Sequence, residues 1–307
     1  MKPLLPIAFL VVFIAGSLFS QDAKPEDENA VNSKRKTSAM MVDSPVVFPG
    51  KGALPAEFPP DLAVKMVSPE PYYSITESPP RSIAQINAIQ SKMIKGKFTP
   101  PPTDWEHLSR TKKALSEGSD LHILGLGDSI INDTFRSGWI GKLAEEYPKA
   151  DIEGKVYVRG GGACRHYWVE DRIPNNLVPL KPDLVCIGGI SQQKNYEAIR
   201  SVIKQIRKDL SETEILLSTG VFGNVDPRRP DLLATAPHSG VSDYGRELKR
   251  IADELDCAFL DITTPWAEYI VSSGVHPHRF YRDRVHANEY GEQILSKILL
   301  SFFDVNR

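Results

Sequence analysis

The sequence predicts an α/β domain, a parallel sheet with helices packed on both faces. Three observations carry the prediction. From residue 121 to the C-terminus, five short apolar runs alternate with longer segments whose apolar residues recur every three or four positions. The clearest run, 184–187, is apolar throughout instead of alternating, the pattern of a strand covered on both sides. Three of the runs end in glycine-bearing turns, and in open sheets of this class the loops at the carboxyl ends of the strands hold the ligand.

The elements follow in order. Residues 121–126 form the first strand and end in Gly127-Asp128-Ser129. Phe135, Trp139, Leu143 and Tyr147 then repeat every four residues, one helical face. Residues 155–158 make the second strand, followed by Gly160-Gly161-Gly162, and 184–187 the third, followed by Gly188-Gly189. Tyr196, Ile199, Val202, Ile203, Ile206 and Leu210 mark a strongly amphipathic helix, and 215–217 the fourth strand. Tyr244, Leu248, Ile251 and Leu255 mark the next helix, 258–260 the fifth strand, and Ile294, Leu295, Ile298, Leu299 and Phe302 the last helix. Ser129, the 160–162 glycines and Gly188-Gly189 all follow strand ends, so one rim of the sheet gathers them.

That rim carries chemistry. A serine opening a helix presents its hydroxyl where the helix N-terminus favours negative charge. A serine needs a base, usually a histidine oriented by a carboxylate. Asp283-Arg284-Val285-His286, just before the last helix, supplies such a pair at a spacing that lets the carboxylate reach the same imidazole. Taken singly, Asp128 or Ser129 reads equally well as a helix N-cap and Asp283 as a turn residue.

Leu124-Gly125-Leu126-Gly127-Asp128-Ser129 together with Asp283-Arg284-Val285-His286 resembles the SGNH (GDSL) hydrolase family, over about residues 119–304. The resemblance implies a flavodoxin-like three-layer α/β/α sandwich on a five-stranded parallel sheet, and ester hydrolysis without cofactor or metal. It implies Ser129 as nucleophile, His286 as general base and Asp283 as its orienting acid. The backbone N–H of Ser129 and of a glycine after the second strand, Gly162 ahead of Gly161, would form the oxyanion hole. The family's Gly-x-Asn-Asp block reads Gly188-Gly189-Ile190-Ser191 here, with Ile190 where a donating Asn stands. Ser191 or Gln192 is the expected substitute. Arg165 and Trp168, after the glycine run, are candidates to meet a sugar ring or its charge, and equally a surface Arg and a packed Trp.

Net charge −2 and a pI near 6.4 argue against a nucleic-acid surface. Three cysteines do not make a disulfide scaffold; Cys186 and Cys257 fall in core strands, and Cys164 near the site. His276-Pro277-His278 lacks a further ligand at metal spacing. The apolar run 4–19, preceded by Lys2, reads as a signal peptide spanning residues 1–20, which places the mature chain in the cell envelope or outside, without a stable membrane span. Fifteen of the 24 prolines lie before residue 103, so 21–103 reads as an extended or surface-lying arm and 104–307 as the catalytic domain. Helical spacing interrupts the arm at Ile83, Ile86, Ile89 and Met93, and recurs more loosely at Trp105, Leu108 and Leu115. The leading expectation is an exported serine esterase on small-molecule or polysaccharide esters, most specifically a carbohydrate O-acetylesterase. A lipase, thioesterase or O-acyltransferase uses the same machinery. A non-catalytic envelope or carbohydrate-binding protein that lost activity with the Asn is the third reading.

Overall fold

The computed structural model describes residues 74–77, 81–169, 171–192, 195–221, 223, 225–229, 243–283 and 285–307. The signal-peptide run, most of the proline-rich arm, Arg284 and residues 230–242 lie outside them.

Five parallel strands form the sheet: β2 (Asp120–Gly127), β3 (Asp151–Val158), β4 (Leu184–Gly188), β5 (Glu214–Ser218) and β6 (Ala258–Leu260). Their spatial order is β3-β2-β4-β5-β6. Counting only parallel strands this is 2-1-3-4-5, the flavodoxin-like order, whose switch point lies beside the first strand. The register aligns Gly127 with Val158 on one side and Gly188 on the other. The loops after β2, β3 and β4 therefore leave the sheet at one level, as the sequence required. A sixth strand, β1 (Ser74–Glu77), pairs antiparallel along the outer edge of β3 and was not expected.

Two apolar clusters lie on the two faces. On one, Leu121, Ile123, Val156 and Leu216 meet α1 (Ile83–Lys92), α3 (Ser129–Arg136), α4 (Trp139–Glu146), α8 (Thr263–Ser273) and α9 (Glu289–Phe302). On the other, Leu124, Leu126, Val185 and Ile187 meet α5 (Cys164–Tyr167), α6 (Tyr196–Asp209) and α7 (Asp243–Glu254). Leu121 and Ile123 on one face and Leu124 and Leu126 on the other show the period-2 alternation of a strand. The short α2 (Ser109–Lys113) runs into β2 through one further turn, Ala114–Gly118. The four-residue repeat of Phe135 and Trp139 is split between α3 and α4, because Gly138 takes a left-handed φ of 84°. Ile86 packs where a Cβ at Gly138 would stand, 2.6 Å away.

The folded part begins well before residue 104. Ser82 and Gln85 form a capping box that starts α1. Ile86 is 0% exposed, and Ile89 and Met93 join the core. Thr99 N–H donates to Glu268 Oε2 (2.5 Å), and Thr103 Oγ1 to the Phe302 carbonyl (2.6 Å). Proline-rich sequence and a folded seat are compatible here because the prolines flank α1 and lie outside it. Ile86→Ala is expected to cost about 2–4 kcal/mol in urea unfolding; a loss below about 1 kcal/mol would mean that the segment only rests on the surface.

Candidate active site

Ser129 is the first residue of α3, and Asp128 caps that helix by accepting from the Ile130 N–H at 2.9 Å. Ser129 Oγ lies 2.7 Å from His286 Nε2, and His286 Nδ1 lies 2.7 Å from Asp283 Oδ2. The other carboxylate oxygen of Asp283 accepts the N–H groups of Val285 (2.7 Å) and His286 (2.8 Å). Burial would raise the Asp283 pKa, but the hydrogen bond and charge of His286 and the two N–H donors outweigh it and bring it to about 2. An ionised Asp283 accepts from Nδ1–H, which leaves Nε2 with a lone pair for the serine proton. His286 and Asp283 are 26% and 21% exposed, open enough for a ligand to reach and shielded enough to keep their bonds. All three residues expected from the motifs thus meet across 157 residues of chain.

Asp128 does more than cap. Its second oxygen accepts the N–H of Ile190 (2.8 Å) and of Ser191 (2.7 Å). Burial raises its pKa, while the Ser191 hydroxyl and the N–H groups of Ile130, Ser191 and Ile190 oppose the shift. This carboxylate fastens the loop after β4 to the turn that bears the nucleophile. Gly189 is required at that join: its φ is 106°, and a Cβ would stand 2.2 Å from Asp128 Oδ1.

The candidate oxyanion donors sort by their existing bonds. The Gly162 N–H is committed to the Arg159 carbonyl at 2.8 Å, closing a turn. Gly161, at the exposed tip of that turn with φ 67°, has no such bond. The Ser191 N–H is committed to Asp128 Oδ2 at 2.7 Å. Gln192 is buried; its Oε1 accepts the Cys164 N–H at 2.8 Å, and its Nε2 has no nitrogen or oxygen partner, lying by the Cys164 thiol. Bond commitments of this kind are invisible in a linear sequence, which left Gly162 ahead of Gly161 and Ser191 level with Gln192.

Arg165 and Trp168 do not share one place. Arg165 is exposed on α5, and with Arg159 and Arg172 its charge adds to burial in lowering the His166 pKa to about 4. Trp168 is 41% exposed, and its carbonyl accepts from Gln205, nine residues into α6. Gln205 lies about 13 Å along α6 from its rim end, which places the Trp168 carbonyl on the flank of the domain. Cys164, Cys186 and Cys257 are free and buried, and burial raises all three thiols. Among the described residues no group of three or more His, Cys, Asp or Glu is placed to hold a metal ion, and no helix is long and apolar enough to cross a membrane.

No family model matches the chain, and no curated protein does. Solved structures do. A catalytic mutant of the acetylxylan esterase Axe2 from Geobacillus stearothermophilus is similar with TM-score 0.50 and 21% identity, over 61% of this chain and 95% of that one. Another Axe2 mutant, described as an acetyl-xylooligosaccharide esterase from the same organism, gives the same score, identity and coverage. A two-domain esterase active on acetylated mannans is similar with TM-score 0.52 and 15% identity, over 67% of this chain and 54% of that one. Sheet order, rim geometry and these likenesses agree: this chain has the three-layer α/β/α fold of the SGNH hydrolases.

Proposed function

We propose that this protein is an exported serine esterase that removes acetyl groups from carbohydrate. The observation that carries the reading is the chain of two 2.7 Å hydrogen bonds from Ser129 through His286 to Asp283. The acetyl and carbohydrate parts draw support from the esterases of similar fold, and export from the apolar run 4–19.

In this mechanism His286 Nε2 takes the Ser129 proton as Oγ attacks the ester carbonyl carbon. The tetrahedral oxyanion is held by the N–H groups of Ser129 and Gly161. His286 returns its proton to the departing alkoxide, leaving an acyl-serine. Water then gives a proton to His286 and attacks the acyl carbon; the acid leaves and Ser129 regains its proton. The third donor falls to the Gln192 amide, because Ile190 has no side-chain donor and Gln192 Nε2 has no nitrogen or oxygen partner in its buried seat, from which it turns toward the rim when the ester binds. Gln192→Ala is expected to lower kcat by roughly a hundredfold with little change in KM, the cost of one oxyanion donor. Ser191→Ala should stay within a few-fold of the parent. Equal turnover in the parent and Gln192→Ala would remove Gln192 from the mechanism.

The reading is tested with p-nitrophenyl esters of two, four and eight carbons, acetylated xylo- and manno-oligosaccharides, and a fluorophosphonate probe mapped by peptide mass. Label on Ser129, preference for acetate and acetate release from the oligosaccharides support it. Preference for the eight-carbon ester moves the protein to the lipase or thioesterase class. A folded chain that neither hydrolyses nor takes label supports the non-catalytic binding reading, which the Ile190 substitution favours.

A further inference from the structure

The two halves of the triad ride on different elements, Ser129 on α3 and the acid and base on the 281–287 loop. The bonds of Asp283 to Val285 and His286 hold the loop together internally, but none of them reaches α3. Arg282 does both. Its N–H donates to the His286 carbonyl (3.0 Å), and its Nη1 to the Ala287 carbonyl (2.5 Å), so it closes the loop that carries the base. Its Nη2 donates to Asp133 Oδ1 at 2.8 Å. Asp133 lies four residues after Ser129 on α3, one helical turn or about 6 Å along the axis. The side chains of Arg282 and Asp133 are 7% and 1% exposed.

The strut is backed from behind. Arg136 Nη2 stands 3.4 Å from Asp133, and Arg136 Nε donates to the buried Glu292 at 3.0 Å. Arg81 donates to the other oxygen of Glu292 through Nε (2.8 Å) and Nη2 (2.5 Å). Arg282 itself comes no nearer to Glu292 than 3.8 Å. Three guanidiniums and two carboxylates therefore share one buried site, and within it only Arg282 bonds both the base-bearing loop and the nucleophile-bearing helix.

We propose that Arg282 is a positioning residue: through Asp133 and the Ala287 carbonyl it sets the distance between His286 and Ser129. The proposal rests on the triad reading above. A planar guanidinium offers two donors in fixed directions to two acceptors, whereas a lysine ammonium on a flexible stem serves such a pair less well. Misplacing a reacting group by about 1 Å can cost about a hundredfold in rate.

The test compares the full chain with Arg282→Met, Arg282→Lys, Asp133→Asn and Arg81→Met. It reads kcat and KM for p-nitrophenyl acetate across pH, the rate of fluorophosphonate labelling at Ser129, and the thermal midpoint. Arg282→Met is expected to lose roughly 30- to 100-fold in kcat and in labelling rate, with KM and the acid midpoint of the rate profile in place. Arg282→Lys should recover part of that loss, and Asp133→Asn, which keeps one acceptor, should fall between. Among the described residues the Arg81 side chain bonds Glu292 and neither Asp133 nor the base-bearing loop; Arg81→Met should lower the thermal midpoint yet leave kcat near the parent value. The proposal is overturned if folded Arg282→Met keeps the parent kcat, if kcat in the four variants merely follows the thermal midpoint, or if a shifted acid midpoint accounts for the loss. Should Arg282→Met not fold, Arg282→Lys and Asp133→Asn decide by the same criteria. Equal labelling in parent and variants sinks the strut alone; absence of label in the parent sinks the triad reading and the strut with it.

Discussion

Ser129→Ala is expected to reduce hydrolysis of p-nitrophenyl acetate by at least roughly 10⁴-fold and to abolish fluorophosphonate labelling, while leaving the thermal midpoint close to the parent. The size of the effect follows from the chemistry, since the acyl intermediate forms on Oγ and cannot form there once it is gone. The stability expectation follows from the geometry. The Ser129 hydroxyl bonds only a half-buried imidazole, and the helix cap belongs to Asp128, whose bonds to Ile130, Ile190 and Ser191 stay intact. Residual turnover above a tenth of the parent rate would place the nucleophile elsewhere.

Asp283→Asn should cost roughly 10³- to 10⁴-fold in kcat through the tautomer of His286. In the parent, Oδ1 takes two backbone N–H groups and Oδ2 takes the imidazole Nδ1–H. An amide keeps its oxygen on the backbone donors and turns its NH₂ toward Nδ1. The ring proton then moves to Nε2, which can no longer accept from Ser129. The same carboxylate makes a pH prediction. With its pKa near 2, Asp283 stays ionised through mildly acid conditions, so a fall in rate between pH 7 and 4 reports another group in the site. Because the folded value is depressed below the unfolded one, Asp283 stabilises the fold above about pH 4, and this contribution is lost as pH falls toward 2. A pH–rate profile and acid unfolding of parent and Asp283→Asn check both statements; identical acid unfolding would contradict the second.

The triad was legible because its signals are local. Gly127-Asp128-Ser129 ends an apolar run, and Asp283 and His286 sit three apart before a helix, so each half can be read within a few residues. The five parallel strands were legible for the same reason. β3 is longer than its apolar end, since Asp151, Glu153 and Lys155 belong to an edge-side half that burial does not select. α8 was missed: Thr263, Thr264 and Pro265 open it, and the i, i+3, i+4 face of Trp266, Tyr269 and Ile270 is blurred by the neighbouring Ala267 and Val271. β1 was hidden by the prolines around it, whereas the spacing of Ile83, Ile86, Ile89 and Met93 did mark α1. What the sequence could not rank were alternatives decided by distant partners. Asp128 claims the Ser191 N–H across 63 residues, and Gln192 Oε1 takes the Cys164 N–H across 28. Arg282 finds Asp133 across 149 residues.

The seat of α1 bears on the order in which the chain can mature. Arg81 meets Glu292 across 211 residues, Gln90 meets Gln293 across 203, and Thr103 meets the Phe302 carbonyl across 199. The beginning of the folded part is therefore completed by its very end. Contacts of such high sequence separation form late, because the intervening loop must close before they contribute. During synthesis from the N-terminus, α1 can pack on the Gly138 turn but lacks α9 until the end of the chain has emerged, and His286 arrives only shortly before α9 does. A chain stopped short of residue 289 has Ser129, Asp283 and His286 but lacks the partners of Arg81, Gln90 and Thr103, so the seat of α1 is completed only after the last of the site residues has been made.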